Sequence, residues 1–365
     1  MKKIVQHRIL KYLFNRWLIL PWLAIVTYVL TEIFARNRHW AENIYSRKIY
    51  PFVANLLSKV SALFPFSLDD IFYLLLILVA FLLIFLLIFR KISLKKTGKI
   101  VLNVLAIVYI LFYVLWGFNY FRKNLNERID LTERKPNTEE LFLVLEDLIE
   151  KTNNSFCSFY DFDENKIDAL IENSYSKLAP VLQLNYPAGK RRAKNITFSR
   201  FFAKAGISGY YGPFFSEVHI NKNNLPIEYP FVLAHEKAHQ FGITSEAEAN
   251  FYAWLVCSQS ESKQLQFSAN LNVLKFFLYQ CYQMEQYPEI IKKLDENVKN
   301  DFRRIQEHWT NLRNEKVDKV ASKVNDTYLK TNKVEKGIED YYGVVKHVMD
   351  FSLDSVFQKK WDLVH

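Results

Sequence analysis

The first third of the chain alternates long apolar stretches with shorter polar segments. Three stretches stand out, at residues 17–34, 71–89 and 100–121, and the second contains no charged side chain. About 20 apolar residues in a helix are enough to cross a bilayer. We therefore predict three membrane-spanning helices in a membrane domain of residues 1–121. The first stretch could instead be a signal peptide, but no small-residue cleavage site precedes Arg36.

Basic residues flank these stretches unevenly. One cluster precedes the first stretch and consists of Lys2, Lys3, Arg8, Lys11 and Arg16. A second cluster fills the short loop between the second and third stretches and consists of Arg90, Lys91, Lys95, Lys96 and Lys99. Short basic loops stay in the cytoplasm. We therefore expect a multi-pass protein of the cell membrane with a cytoplasmic N-terminus and with everything after residue 121 outside the cytoplasm.

The loop of residues 35–70 is also basic, which opposes this orientation. It is longer, however, and residues 50–64 have the pattern of an amphipathic helix lying in the membrane interface. The side chains expected to point towards lipid are Phe52, Leu56, Val60 and Leu63.

Beyond the third stretch the pattern becomes that of a soluble domain. Residues 122–136 are polar and predict a stalk, and residues 137–365 predict one mostly helical domain. Apolar residues recur at helical spacing after residue 137, and further helices are expected over 164–182 and 263–284.

Two short segments of this domain have extended patterns instead. They lie at residues 195–199 and 216–221, with a turn region at 206–212 between them. A small sheet is therefore expected just before the most distinctive motif of the chain. The predicted fold class is mainly α, with three N-terminal transmembrane helices followed by an α+β domain.

The distinctive motif is His-Glu-Lys-Ala-His, at residues 235–239. Two histidines four residues apart lie on one face of a helix, so His235 and His239 can bind one metal ion. Glu236 is then placed beside the water that a zinc ion activates, where hydrolysis needs a general base. Pro230 suits the first turn of this helix, and Gly242 suits its C-terminal stop. The alternative is a buried helix whose histidines are merely hydrogen-bonded.

A catalytic zinc ion usually has three protein ligands. Ser245 followed by Glu248 is a capping-box pattern, which predicts a second helix directly after the motif. The capping role of Glu248 leaves Glu246 as the better third ligand and Glu248 as the alternative. Asn250, one turn after Glu246, could orient a ligand histidine through its amide oxygen. Both glutamates could also be ordinary first-turn acids, which the helix dipole favours.

The motif and the later glutamate resemble the glutamate zincins, which include thermolysin and the membrane-bound prenyl-protein and heat-shock proteases. Those families have Glu-x-x-x-Asp on the second helix, whereas this chain has Asn250 at the last position and far fewer residues after His239. The turn at Gly242 is similar to the metzincin pattern, with Ser245 at the place of the third histidine. The resemblance implies a zincin-like metallopeptidase domain with a small sheet.

Zinc peptidases of these kinds bind substrate as a strand added to a sheet edge. Residues 216–221 are placed where such an edge is expected, and an ordinary core strand is the equally open alternative. His219 in this segment could face the cleft, although a histidine in a strand is usually structural. Side chains that could stabilise a developing oxyanion are Tyr210, Tyr211, Tyr341, Tyr342 and His347.

A resemblance over most of the chain is to the bacterial membrane family known as domain of unknown function 3810. It rests on the three spans, on Ile-Ser-Gly-Tyr-Tyr-Gly-Pro-Phe at 207–214, on the His235 motif and on Ser-Glu-Ala-Glu-Ala-Asn-Phe at 245–251. It extends to the Tyr-Tyr-Gly region at 341–343. The resemblance implies a zinc peptidase and names no substrate.

Charge and cysteine content exclude other classes. The formal net charge of +10 does not indicate nucleic-acid binding, because the basic excess lies in residues 1–121. A local basic cluster is expected to be a solvated loop and comprises Lys190, Arg191, Arg192 and Lys194. The three cysteines are too few and too far apart for a disulfide scaffold or a thiolate zinc site, and buried thiols or one bridge are expected for Cys157, Cys257 and Cys281.

The sequence thus predicts a membrane-anchored zinc metallopeptidase. His235, His239 and Glu246 are the expected Zn²⁺ ligands, and Glu236 is the general base. The expected partners are a peptide or protein substrate and the lipid bilayer. The alternatives are a zinc-binding membrane sensor without turnover and a structural membrane protein without metal. Cleavage within the membrane is less attractive because the motif follows the last span by more than about 100 residues, so soluble or membrane-surface substrates fit better.

Overall fold

The computed structural model describes residues 16–187, 189 and 191–362. Three helices, Ile19–Arg36, Leu68–Ile88 and Leu94–Leu115, are long and apolar enough to cross a membrane. They overlap the three predicted spans. The third helix begins six residues earlier than predicted, and it ends at Leu115 because a 3-10 turn, Gly117–Phe121, follows it. The basic residues Lys2, Lys3, Arg8, Lys11 and Lys190 lie outside the described residues.

The rest of the protein contacts one end of each apolar helix. Near the end of the first, Glu32 pairs with Lys333 at 2.7 Å. At the start of the second, the Ser67 hydroxyl donates to Glu217 at 3.1 Å. After the third, the Trp116 indole donates to the carbonyl of His239 at 3.1 Å. The loop of residues 89–93, which joins the opposite ends of the second and third helices, therefore lies away from the domain.

The loop between the first and second apolar helices is itself helical. Residues 38–49 lead into Tyr50–Ser61, here named the interface helix. Its buried side faces the domain, where the Tyr50 hydroxyl donates to the carbonyl of Gln240 at 2.9 Å. The predicted amphipathic division is confirmed, since the four apolar side chains on its other side are exposed: Phe52, Leu56, Val60 and Leu63.

The domain that follows is mainly helical. Its helices are Leu125–Ile129, Thr138–Ser155, Glu164–Leu178, Ser199–Lys204, Tyr229–Gln240, Glu246–Ser258, Lys263–Cys281, Tyr287–Lys292, Glu296–Leu312, Glu315–Thr331, Val344–Leu353 and Ser355–Asp362, with a 3-10 turn at Gly337–Gly343. The helix Glu246–Ser258 lies at the centre of the core, because its residues 247–257 are all buried. The helices predicted from residues 137, 164 and 263 are confirmed, each beginning within one residue of the expected position.

Three short strands form one sheet in the order β1-β3-β2: β1 is Ala193–Asn195, β2 is Gly209–Gly212 and β3 is Glu217–Ile220. β3 runs parallel to β1 and antiparallel to β2. The small sheet is thus confirmed, but the expected turn region contains β2. β3 is the buried central strand, so it is not the edge to which a substrate strand could be added, and β2 is an edge strand instead.

Residues 122–136 do not form a free polar stalk. The helix Leu125–Ile129 lies within them, and Leu125, Ile129 and Leu131 are buried in the main core. Arg128 of this helix pairs with Glu248 at 2.6 Å. Three apolar residues in a charged segment give too weak a hydropathy signal to distinguish such a packed turn from a linker.

The basic cluster at 191–194 is also different from the solvated loop that its charge predicts. Arg191 and Lys194 are buried and pair with Glu172 at 2.9 Å and with Glu217, respectively. Each acidic partner is about 20 residues away along the chain, so these ion pairs form only when the chain folds. The cysteines agree with the expectation of free thiols, and Cys257 and Cys281 are buried.

Candidate metal centre

The motif lies on the helix Tyr229–Gln240, here named the HExxH helix. Pro230 stands in its first turn, where a missing N–H costs nothing, and Gly242 follows its end with φ +77°. A side chain at Gly242 would also collide with Asn119, because an added Cβ would lie 2.8 Å from that amide. Both features bear out the predicted helix boundaries and place His235 and His239 on successive turns of one face.

The next helix, Glu246–Ser258, is named the glutamate helix. The Ser245 hydroxyl accepts a hydrogen bond from the backbone N–H of Glu248 at 3.3 Å, so the predicted N-cap is confirmed. The turn at Gly242 brings the first residue of this helix, Glu246, back to the HExxH helix. The Glu246 carboxylate thereby reaches both histidines.

Three side-chain atoms converge at this point. His235 Nε2 lies 3.1 Å from Glu246 Oε2 and 3.1 Å from His239 Nε2, and His239 Nε2 lies 3.5 Å from Glu246 Oε2. A tetrahedral zinc ion with bonds of about 2.0–2.1 Å keeps its ligand atoms about 3.3 Å apart. The three residues therefore fit one face of a zinc tetrahedron, and within the described residues no further histidine, cysteine, aspartate or glutamate joins this group.

The hydrogen bonding of His239 directs one ring nitrogen towards the centre. Its Nδ1 lies 2.6 Å from the carbonyl oxygen of Ile243, and we assign the proton to Nδ1 because a carbonyl can only accept. Nε2 then carries the lone pair that a metal requires. Burial alone would lower the pKa of His239, but the Glu246 carboxylate outweighs it and raises the pKa to about 9. The centre thus favours a positive charge, whether a proton or a metal ion carries it.

Glu236 lies beside these ligands and is buried. One of its carboxylate oxygens, Oε2, has no protein hydrogen-bond partner. Burial raises the pKa of Glu236 to about 7, although the charges of His235 and His239 act in the opposite direction. Its other oxygen is close to β2, since a Cβ added to Gly209 would lie 2.8 Å from Oε1. A glycine at this position therefore leaves room for the carboxyl group.

Two further predicted residues of the glutamate helix have other roles. Glu248, the alternative ligand, accepts a hydrogen bond from the backbone N–H of Leu125 at 2.7 Å and pairs with Arg128, away from the histidines. Asn250 donates through its amide nitrogen to the carbonyl of Tyr341 at 3.5 Å, and the carbonyl of Ile243 takes the orienting position expected for it. Of the two glutamates, Glu246 is the one whose carboxylate lies against both histidines.

Two of the three candidates from the sheet, Tyr210 and His219, bond to the first turn of the second apolar helix or to its N-cap. The Tyr210 hydroxyl donates to Asp70, and its ring stacks on His219 with centroids 4.2 Å apart. His219 Nε2 lies 2.8 Å from the Ser67 hydroxyl. The Tyr211 hydroxyl donates to the Ser216 hydroxyl at 3.1 Å and not to any of the three candidate metal ligands. These contacts give Tyr210, Tyr211 and His219 structural roles.

Tyr341 is brought to the metal centre from the far end of the chain. Its hydroxyl lies close to the Glu246 carboxylate and to the side chain of Asn325. Burial and the negative charge of Glu246 raise the pKa of Tyr341 well above 10. The two other candidates from this region lie elsewhere, because Tyr342 stacks on Tyr279 with centroids 4.9 Å apart and His347 packs against Phe251 at 6.0 Å.

Residues after the third apolar helix surround the centre without being predicted to do so. The Trp116 ring lies edge-on to His239 at 6.3 Å, and the Tyr120 hydroxyl bonds to that of Tyr328 at 3.1 Å. Arg122 donates to the carbonyls of Phe241 and Gly242. The sequence signal at these aromatic residues is that of a membrane-interface anchor, which conceals their contact with a distant helix.

A comparison with models of protein families finds a match that covers most of the chain. A family model described as "Protein of unknown function (DUF3810)" matches residues 45–349. The chain belongs to this family. The match includes the second and third apolar helices, the sheet, all three candidate ligands and Tyr341, and it agrees with the resemblance found in the sequence motifs. No curated protein and no solved structure matches the chain significantly.

Proposed function

We propose that this protein is a membrane-anchored zinc metallopeptidase whose catalytic domain lies outside the cytoplasm. The observation that carries the proposal is the convergence of ligand atoms from His235, His239 and Glu246, each pair separated by 3.5 Å or less, beside the buried Glu236. Two imidazoles and a carboxylate are the ligand set of hydrolytic zinc sites that leave a fourth position open. The domain is accordingly proposed to be zincin-like.

The residues at the centre suit hydrolysis of a peptide bond. Bound Zn²⁺ would lower the pKa of a water molecule and polarise the scissile carbonyl. Glu236 takes the proton of the water and passes it to the leaving amine. A carboxyl group with a pKa of about 7 suits both steps, because it can hold or release a proton near neutral pH.

The membrane placement is part of the same proposal. The three apolar helices would cross the cell membrane, with the N-terminus and the basic segment of residues 90–99, which contains most of the loop between the second and third helices, in the cytoplasm. The domain contacts the helix ends opposite that loop. It would therefore lie on the outer side, with Zn²⁺ available there and a peptide or protein as substrate.

The proposal is tested by zinc content and turnover in the same preparations. The purified full-length protein should hold roughly one zinc per chain and cleave members of a peptide library. Glu236→Gln should retain the zinc and lose cleavage, since an amide cannot accept the proton. A matched control is Glu228→Gln. Glu228 is also a buried glutamate and lies at the start of the HExxH helix, but its carboxylate accepts a hydrogen bond from Trp309 and does not belong to the candidate metal-ligand group. Full turnover in Glu236→Gln, or no zinc in the wild type, would exclude the proposal.

Enclosure of the centre favours a second candidate function, a zinc-binding membrane sensor without turnover. His235, Glu236 and His239 are each at most 8% exposed, and the hydroxyl of Tyr341 lies close to Glu246. A closed centre of this kind retains metal and excludes substrate. In that case zinc removal should change hydrogen exchange in Gly337–Gly343, while the peptide library stays intact in the wild type as well as in Glu236→Gln.

A further inference from the structure

The end of the HExxH helix is held by residues that flank the apolar helices. Its last carbonyl groups lack partners within the helix. Trp116 donates to the carbonyl of His239 at 3.1 Å, and Tyr50 donates to that of Gln240 at 2.9 Å. Arg122 donates to the carbonyl of Gly242 at 3.0 Å. Because Trp116 directly follows the third apolar helix, a metal-ligating residue lies one hydrogen bond from the end of that helix.

The edge strand β2 connects the centre to the second apolar helix as well. Gly209, its first residue, borders Glu236. The next residue, Tyr210, bonds to Asp70 in the first turn of the second apolar helix. Tyr211 then packs on Trp116 with ring centroids 5.4 Å apart. This four-residue strand thus contacts the general-base candidate, the start of the second apolar helix and Trp116 at the end of the third. The centre therefore lies between the domain-side ends of the second and third apolar helices.

A helix from the C-terminal part packs beside these helix ends. Glu315–Thr331, named the cover helix, places Tyr328 against Phe112 of the third apolar helix at 5.9 Å. The hydroxyl of Tyr328 bonds to Tyr120 at 3.1 Å. From the same region, Asn325 meets Tyr341, which contacts Glu246. The cover helix therefore contacts an apolar helix directly and the metal centre through Tyr341.

Exposed apolar side chains occur in the segments that adjoin these helix ends, and they are here named the apolar belt. Phe66 comes just before the second apolar helix, and Phe198 follows Thr197, which bonds to Asp70 of that helix. The exposed apolar residues of this belt are Phe52, Leu56, Leu63, Phe66, Phe198, Phe201, Val320 and Val324. An exposed belt next to membrane-spanning helices is the surface that a bilayer interface covers.

We propose that the substrate of this metal centre is a polypeptide anchored in the same membrane and cut just outside its own membrane segment. This inference rests on the proposed peptidase function. The centre lies where the second and third apolar helices leave the apolar region, so a soluble chain reaches it only by approaching the membrane surface. The headgroup region is about 5–8 Å thick on each side, and extended chain spans about 3.3 Å per residue, so about two to three residues cross that region and a similar number is left to enter the centre. The scissile bond should therefore lie within about five residues of the anchoring segment.

The test compares three forms of one randomised peptide stretch of about 12 residues. In the first form the stretch directly follows a membrane-spanning helix, in vesicles that contain the full-length zinc-loaded protein. In the second, a Gly/Ser spacer of about 20 residues separates the stretch from the same helix. In the third, the stretch is free in solution. The spacer form controls for the higher local concentration of any anchored peptide, and Glu236→Gln is the inactive control.

We expect the first form to be cleaved at least about tenfold faster than the others, at bonds within about five residues of the helix. Equal or faster cleavage of the spacer or soluble form would overturn the inference and leave the peptidase function intact. Absence of cleavage in all three forms, or cleavage that persists in Glu236→Gln, would instead overturn the peptidase function, and this substrate assignment with it.

A second measurement tests the position of the centre without any turnover. Co²⁺ takes the place of Zn²⁺ in the reconstituted protein, and nitroxide labels are placed at the headgroup or at the chain end of the lipids. Paramagnetic relaxation should be strongest for the headgroup label and should disappear with His239→Ala. Bound Co²⁺ without an effect on the headgroup label would overturn the inference, whereas failure to bind Co²⁺ or Zn²⁺ would overturn the proposed function.

Discussion

Arg128 and Glu248 form a buried ion pair in which Nη2 lies 2.6 Å from Oε2. The pair joins the segment after the third apolar helix to the glutamate helix. Because of this pair, Glu248 and Glu246 have different partners. Glu246 faces the histidines and Glu248 faces an arginine, although both lie in the first turn of one helix.

This separation gives opposite expectations for the two glutamates. Glu246→Gln should weaken zinc binding by more than about a hundredfold, because an amide oxygen is a poor replacement for a carboxylate ligand. Glu248→Gln should leave zinc affinity unchanged and lower the free energy of unfolding by about 3 kcal/mol, because it leaves the Arg128 charge buried without its partner. Zinc titration and thermal unfolding of both variants check this. Equal zinc affinities would remove Glu246 from the ligand set.

Tyr341 and Tyr342 form a second matched pair of neighbours. Tyr341→Phe removes the hydroxyl that lies beside the Glu246 carboxylate and should weaken zinc binding by about tenfold, since groups that hold ligands in place are worth this much. Tyr342→Phe should have no effect, because that side chain is exposed and stacked on Tyr279. Zinc affinity by competition with a chelator is the measurement. A decrease of the same size in both variants would indicate a general structural effect.

Trp116→Phe should destabilise the protein by about 1 kcal/mol, because the buried carbonyl of His239 loses one of its two donors and keeps the N–H of Gly242 at 2.9 Å, while an aromatic ring is retained. Tyr120→Phe is the comparison, since its hydroxyl bond to Tyr328 is exposed and water can replace it. Its effect should therefore be smaller. Thermal unfolding in the same detergent measures both. A larger loss in Tyr120→Phe would contradict the importance given to the Trp116 contact.

Glu42 should make stability depend on acid pH. Its carboxylate lies 2.9 Å from both Arg122 and Arg47. Burial would raise the pKa of Glu42, but these arginines outweigh it and lower the pKa from 4.5 to about 2. Because the folded-state pKa is depressed, the stabilisation is complete above about pH 4.5 and is lost as the pH falls towards about 2.

The expected contribution of Glu42 at neutral pH is roughly 3 kcal/mol. Glu42→Gln should therefore be less stable than the wild type at pH 7, and the difference should shrink between pH 4.5 and pH 2. The exposed Glu289→Gln variant is the control and should follow the wild-type curve. A pH-independent difference between the wild type and Glu42→Gln would show that the ion pairs contribute nothing.

The local sequence pattern was sufficient to predict the two helices that carry the candidate centre. Helical spacing, Pro230, Gly242 and the Ser245 cap predict both helices and therefore place His235, His239 and Glu246 close together, since only a short turn separates them. Hydropathy likewise predicts the three apolar helices, and the exposed face of the interface helix follows from its amphipathic spacing. Interactions between near neighbours in sequence determine all of these features.

Contacts between distant residues were decided by the tertiary structure alone. The bonds from Tyr50, Trp116 and Arg122 to the end of the HExxH helix, and the arrival of Tyr341 at Glu246, join segments more than about 90 residues apart. The same holds for the charges of Arg191 and Lys194, which look solvated in sequence and are buried because their acidic partners are brought to them. Periodicity records which side of an element is apolar, but it does not record which other element covers that side, and packing of the whole chain supplies that information.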